Sequence, residues 1–375
     1  MLPFYGQRGL LRAFRALLWM AVIFARVAGA AAQGEPGRGA QPVFEFHSGF
    51  WINLHHFLYQ QARLRDAQTG GPAGANETYA APKGERDAGA RAGSSARVST
   101  ASLSPEERKA WAEAVDYYAG ALADRDLLFN GDMVNINNRL AELETCTELA
   151  GQTARACASG LRPEQVIALE RFAPVYRAHW WPEHDRGNRA WIAAVGPRVR
   201  QMGAALARQL AAVYRAEWLA GRIRVDLVSY GGPFGAYTTL DPLHVTISSG
   251  DPRNQGPAAL EVLFHEASHA LARQVSDAIV RECRQRGKAI PRDLWHALLF
   301  YTTGEMVRRA LVAERAAAGG AMGRDSDEYT PYAYRYGLFA RGWSGYQRLL
   351  ERHWQPYLDG KIDFDTAIAR LVSGL

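Results

Sequence analysis

The chain has 375 residues, 48% of them hydrophobic, and a formal net charge of +6. That length carries one large or two modest domains and can bury a sizeable core. Its basic residues are spread along the chain and no nucleic-acid motif accompanies them, so the charge reads as a solvated surface and excludes a nucleic-acid partner.

In chain order, Arg8, Arg12 and Arg15 precede the apolar run Ala16 to Ala25, and Ala28-Gly29-Ala30-Ala31-Ala32 offers small-residue cleavage sites. That is the order of a secretory signal peptide, expected over residues 1–32. The apolar run is about ten residues, too short to span a bilayer of about 30 Å. The chain is therefore expected to be exported, periplasmic or secreted, with no stable membrane span after cleavage; an uncleaved N-terminal anchor is the alternative. A Gly/Pro-rich spacer from Gln33 to Gln41 leads into Val43-Phe44-Glu45-Phe46, which alternates as a short strand. Phe50 to Arg65 reads as an aromatic-rich helix. Residues 66–103 are dominated by Gly, Ala, Ser and Thr and read as a disordered insertion.

Order is expected to resume with Ser104-Pro105-Glu106-Glu107, a helix start followed by Trp111, Val115, Tyr118 and Leu122 at helical spacing. Further helices are expected at about 133–148, 162–178, 187–219, 257–274, 291–316 and 334–374. Strands are expected at 223–230, which alternates with period two, and at 236–240 and 244–248 after Gly231-Gly232-Pro233 and Asp241-Pro242 turns. In an oxidising compartment a disulfide between Cys146 and Cys157 would staple two helix ends. Cys283 is left over as a buried thiol.

Residues 265–269 read His-Glu-Ala-Ser-His. Two histidines four apart share one face of a helix, one turn from each other, so both imidazoles can meet one metal ion. Zinc accepts neutral imidazoles and keeps an open position when three protein groups hold it. Glu266 sits where it can act as general base toward a water there. No charge occupies positions 267, 268 or 270, and apolar residues flank the motif, so this helix can be buried up to the metal.

This motif, with three short strands before it and helices on either side, resembles the zincin metallopeptidases over about residues 222–310. The resemblance implies a mainly α-helical α+β fold, a small sheet beside the H-E-x-x-H helix within a catalytic domain at 104–375, one Zn2+ per chain, and a peptide or protein substrate. It also implies that an edge strand, Gly235 to Thr239 or His244 to Ile247, binds extended substrate. The metzincin subclass requires Gly at 272 and His at 275; Ala272 and Val275 stand there. The gluzincin subclass takes a Glu from a later helix, and Glu305, a lone carboxylate in an apolar stretch, is the expected third ligand beside His265 and His269. The alternative for Glu305 is an ion pair with Arg308 or Arg309. Asp277, Glu282 and Asp293 are weaker candidates. His296, nine residues before Glu305, falls on the opposite helix face and reads as a core histidine or a second-layer partner of the metal.

Gluzincins add a group that stabilises the oxyanion; among Tyr332, Tyr334 and Tyr336, Tyr334 is the candidate here, with Tyr301 a second. The His47–His56 and His179–Asp185 stretches concentrate His, Trp and acid residues but lack the spacing of a metal site, and packing is the simpler reading of both. The expectation is an exported zinc hydrolase acting on peptides. A catalytically inactive zinc-binding module and a zinc hydrolase of non-peptide bonds are the alternatives.

Overall fold

The strand register, not the helices, organises the fold. The computed structural model describes residues 43–66, 98–149, 157–219, 221–317 and 329–375. The expected signal peptide lies outside these residues, as does 67–97 of the expected insertion. β1 (Val43–His47), β2 (Arg222–Val228), β3 (Ala236–Leu240) and β4 (Leu243–Ser248) form one sheet in the order β1-β2-β4-β3. β1 and β4 both run parallel to β2, and β3 is antiparallel to β4 at the edge. The fold is thus mainly helical with a small four-stranded sheet, as expected, and β1 joins strands that come almost half the chain later.

Period-two alternation gives this sheet two unlike faces. Ile223, Val225 and Leu227 of β2, with Val245 and Ile247 of β4, belong to one apolar core. That core also holds Val195, Met202, Leu206 and Leu210 of the long helix α5 (Trp181–Tyr214) and the buried face of α6 (Pro257–Ser268). Arg224, Asp226, His244 and Thr246 alternate with the apolar set and face the other way. They meet α1 (Phe50–Asp66) and α3 (Gly131–Glu142), which belong to a second core built with α2 (Pro105–Ala121) and α4 (Pro163–His179) around Trp51, Phe57, Tyr118, Phe172 and Tyr176.

The layer between sheet and helices is polar and paired. Asp226, fully buried, accepts from Arg224 Nε at 2.5 Å and lies 2.8 Å from His244 Nε2. Burial alone would raise its pKa, but the hydrogen bonds from His244 and Arg224 outweigh it and hold the carboxyl near 2. His56 Nε2 lies 3.0 Å from Asn137 Oδ1, and His244 Nδ1 lies 3.0 Å from Asn138 Oδ1. Cys146 and Cys157 are disulfide-bonded, and Trp51 Nε1 donates to the Cys146 carbonyl at 2.8 Å. Cys283 is a buried thiol.

Helix α2 begins where its cap residues predict. Ser104 and Glu107 exchange the two hydrogen bonds of a capping box at the start of α2. Ends were harder to place from sequence. The expected helix 257–274 stops at Ser268, passes through a 3₁₀ turn at His269–Leu271, and restarts as α7 (Arg273–Gln285). The polar stretch from Ser276 belongs to an amphipathic helix that buries Ala278, Ile279 and Cys283. α8 (Leu294–Ala317) follows. The expected single helix at 334–374 is a series: α9 (Tyr332–Arg335), α10 (Ser344–Leu349), α11 (Gln355–Leu358) and α12 (Phe364–Ser373), with π turns at Phe339–Trp343 and Leu350–Trp354. Among the described residues no helix is long and apolar enough to cross a membrane.

Candidate metal centre

Pro257 at the first position of α6 and the run Ala258 to Ala267 make a helix whose every residue from Ala258 to Ser268 is buried. Such a helix needs neighbours on all sides: the sheet lies on one, α5 on another and α8 on a third. His265 and His269 emerge on the same side at the end of α6. His269 begins the 3₁₀ turn, and its side chain keeps 21% of its surface exposed while His265 keeps 2%.

The third imidazole comes from the first turn of α8. His296, whose N–H bonds to the Asp293 carbonyl, projects back onto α6. Ligand atoms of His265, His269 and His296 all lie within 4.8 Å of one another, and this is the one such grouping among the described residues. His265 Nε2 and His296 Nε2 are 3.3 Å apart. The three rings could hold a metal ion.

Aromatic rings pack against all three imidazoles. Phe300 stacks on His265 with centroids 3.8 Å apart and planes 23° from parallel. Trp295 meets His269 edge-on at 5.8 Å, and Trp343 meets His296 at 5.6 Å. His265 Nδ1 is buried without a hydrogen-bond partner. Burial keeps all three rings neutral: His265 is held well below the ordinary imidazole value by burial and by its two neighbours, His269 is lowered to about 4 by burial, and His296 is lowered by burial and by His269. Neutral imidazole is the form that binds metal, so no proton has to be displaced near pH 7.

Glu266 points toward the same space. Its Oε2 is 3.9 Å from His269 Nε2 and accepts a hydrogen bond from Thr238 Oγ1 of β3 at 2.7 Å. Thr238 Oγ1 is also 3.0 Å from the Glu266 carbonyl oxygen. Burial pushes the Glu266 carboxyl up to about 7, against the Thr238 hydrogen bond that lowers it.

Glu305 does not join the histidines. Its carboxylate accepts from Arg308 Nε at 2.8 Å and from Arg309 Nε at 2.7 Å, and it remains ionised because these hydrogen bonds outweigh its partial burial. The reason is helical geometry: nine residues advance about 13 Å and two and a half turns along α8, so one helix cannot present both His296 and Glu305 to α6. The opposite-face relation between them was legible in the sequence; which face meets α6 was not. The signal for His296 was a histidine in the first turn of an apolar helix with Trp295 beside it.

Tyr334 is likewise occupied elsewhere. Its hydroxyl donates to Glu351 Oε1 at 2.8 Å and its ring packs on Phe339 and Tyr301. Tyr301 donates to Gln355 Oε1 at 2.7 Å. Tyr332, stacked on Phe300 at 5.8 Å, is the tyrosine of this segment nearest the histidines through aromatic contacts. Asp277 faces Arg273 at 3.5 Å and Glu282 accepts from Arg286 at 2.5 Å, both on α7 and away from the cluster. The other histidine-rich stretches are structural: His47 pairs with Glu144, His55 with Tyr118, His179 with Glu107, and His184 with Tyr176.

One more buried acid lies a turn behind His265. Glu261 accepts from Tyr329 Oη at 2.6 Å and from the Tyr332 N–H at 2.9 Å. Burial pushes its carboxyl up to about 7, opposed by those two donors. Gly304 of α8 passes directly over it: a Cβ there would sit 3.0 Å from Glu261 Oε1 and 2.7 Å from Pro331 Cβ. Compared with protein-family models, curated proteins and solved structures, the chain matches none of them.

Proposed function

We propose that this chain is a zinc-dependent hydrolase of peptides, with His265, His269 and His296 holding the metal and Glu266 as general base. The observation that carries this reading is the meeting of three neutral imidazoles with a carboxylate clamped 3.9 Å from one of them. Two nitrogens at about 2.0–2.1 Å from one tetrahedral zinc would lie about 3.3–3.4 Å apart, and His265 Nε2 and His296 Nε2 lie at 3.3 Å. Bound there by three protein groups, zinc would supply an acidified water and a polarised carbonyl.

The residues of the chain account for the rest. Thr238 holds Oε2 of Glu266, which leaves Oε1 to take a proton from the attacking water and return it to the leaving nitrogen. Phe300, Trp295 and Trp343 fix the imidazole rings and exclude solvent behind them. β3 supports a peptide as substrate. Among the described residues it pairs on one side only. The Ser248 N–H bonds to the Gly235 carbonyl at 2.7 Å, and the alternation of an antiparallel ladder from that point turns the backbone groups of Ala236, Thr238 and Leu240 to the unpaired side. An extended peptide added there would pass Glu266, whose carboxylate Thr238 touches. The Cys146–Cys157 disulfide fits the oxidising compartment that export would give.

The test is zinc content and hydrolysis of a fluorescence-quenched peptide library by the wild type and by Glu266→Gln. The expected result is about one zinc per chain in both, with cleavage falling about 10²–10⁴-fold in the variant. A wild type that takes up no zinc from metal-replete buffer, or a variant as active as the wild type, would overturn the reading. Zinc bound in both without cleavage in either favours the binding-module alternative.

A further inference from the structure

We infer that Thr238 is the positioning residue for Glu266: its hydroxyl, delivered by the edge strand, aims the carboxylate at the histidine cluster. The inference rests on the hydrolase reading above and assigns a role to a residue outside the H-E-x-x-H motif.

The geometry is specific. Thr238 is 6% exposed and Glu266 7%, and the Oγ1–Oε2 distance of 2.7 Å is that of a good O–H donor to a carboxylate. A hydroxyl has one hydrogen, and it lies between two acceptors of the same residue, Oε2 and the main-chain carbonyl 3.0 Å away. With one hydrogen it donates to one of them at a time, and Oε2 is the nearer. Among the described residues no Lys or Arg pairs with this carboxylate, and His269 Nε2 lies 3.9 Å from it. A glutamate side chain left without that donor regains rotamer freedom, and a buried carboxylate without a donor is driven to turn toward any polar neighbour.

The strand explains why this residue and not its neighbours does the work. Tyr237 and Thr239 point to the opposite face, where Tyr237 Oη lies 3.2 Å from His56 Nε2 and Thr239 Oγ1 lies 3.5 Å from Asn138 Oδ1. Thr238 alternates toward α6, paired with Val245 on the apolar face. The same residue turns its backbone to the unpaired edge, so a peptide bound along β3 and the base that would act on it are registered through one residue. A one-residue slip of β3 would present Tyr237 or Thr239 to Glu266 and lose the registration.

The experiment compares wild type, Thr238→Val, which keeps the shape and loses the hydroxyl, and Thr238→Ser, which keeps the hydroxyl. Zinc content, kcat and KM on the quenched peptide library, and crystal structures of the metal-free proteins are measured. Expected for Thr238→Val are unchanged zinc content, kcat reduced about 10–100-fold, KM within about twofold, and a Glu266 carboxylate turned from its wild-type position. Thr238→Ser should recover kcat to within about threefold and restore the carboxylate. A Thr238→Val protein that is less stable but has wild-type kcat and an unmoved Glu266 overturns the inference and leaves a strand tether. A zinc-loaded wild type with no hydrolytic activity overturns the hydrolase reading instead, and the role of Thr238 with it.

Discussion

His265 and His296 face each other Nε2 to Nε2 at 3.3 Å across 31 residues of sequence. Between them the chain leaves α6, makes the 3₁₀ turn at His269, runs out along α7 and returns as α8. The separation between the two imidazoles and the Arg-paired Glu305 gives the sharpest test of the centre. His296→Ala should reduce bound zinc from about one per chain to below about a tenth, while Glu305→Ala keeps it near one. Elemental analysis after dialysis decides this. Zinc retained by the first variant and lost by the second would restore Glu305 as the ligand and reject the triad.

Glu261 makes stability depend on pH. Its carboxyl titrates near 7 in the folded chain and near the ordinary value of 4.5 when unfolded. Between these values the folded state binds the proton and the unfolded state does not, so this group's contribution is fully present below about 4.5 and is lost as pH rises through about 7. The expected size is on the order of 3 kcal/mol. Metal-free Glu261→Gln should therefore lose less stability than wild type between pH 5 and pH 8. Glu266, raised to about 7 in the same way, leaves part of the slope in place. Denaturant midpoints across that range that run parallel in both proteins would count against an elevated Glu261.

Gly304 is expected to tolerate no side chain. A Cβ at 2.7 Å from Pro331 Cβ and 3.0 Å from Glu261 Oε1 has no flexible neighbour to push aside, since Pro331 is rigid and Glu261 is fixed by Tyr329 and Tyr332. Gly304→Ala should destabilise the protein by about 1–3 kcal/mol, although alanine is the better helix former. Because α8 also carries His296, zinc affinity should fall with it. A denaturation midpoint equal to that of the wild type would mean that α6 and α8 are not in this contact.

What the sequence by itself determined was local. The H-E-x-x-H spacing put His265 and His269 on one side of a helix, period-two alternation gave β2 its apolar and polar faces, and Ser104 marked a helix start. Each of these depends on residues within a turn or a pleat of one another. The tertiary structure decided the rest. It brought His296, and not Glu305, beside His265 and His269, since nine residues on one helix make opposite faces and only packing selects which of them meets α6. It took Tyr334 to Glu351 and brought Thr238 to Glu266, contacts across 17 and 28 residues that no local period encodes. It also set β1 beside β2, from opposite ends of a long helical stretch, because an unpaired parallel strand buries its backbone groups only against a partner that folding must bring to it.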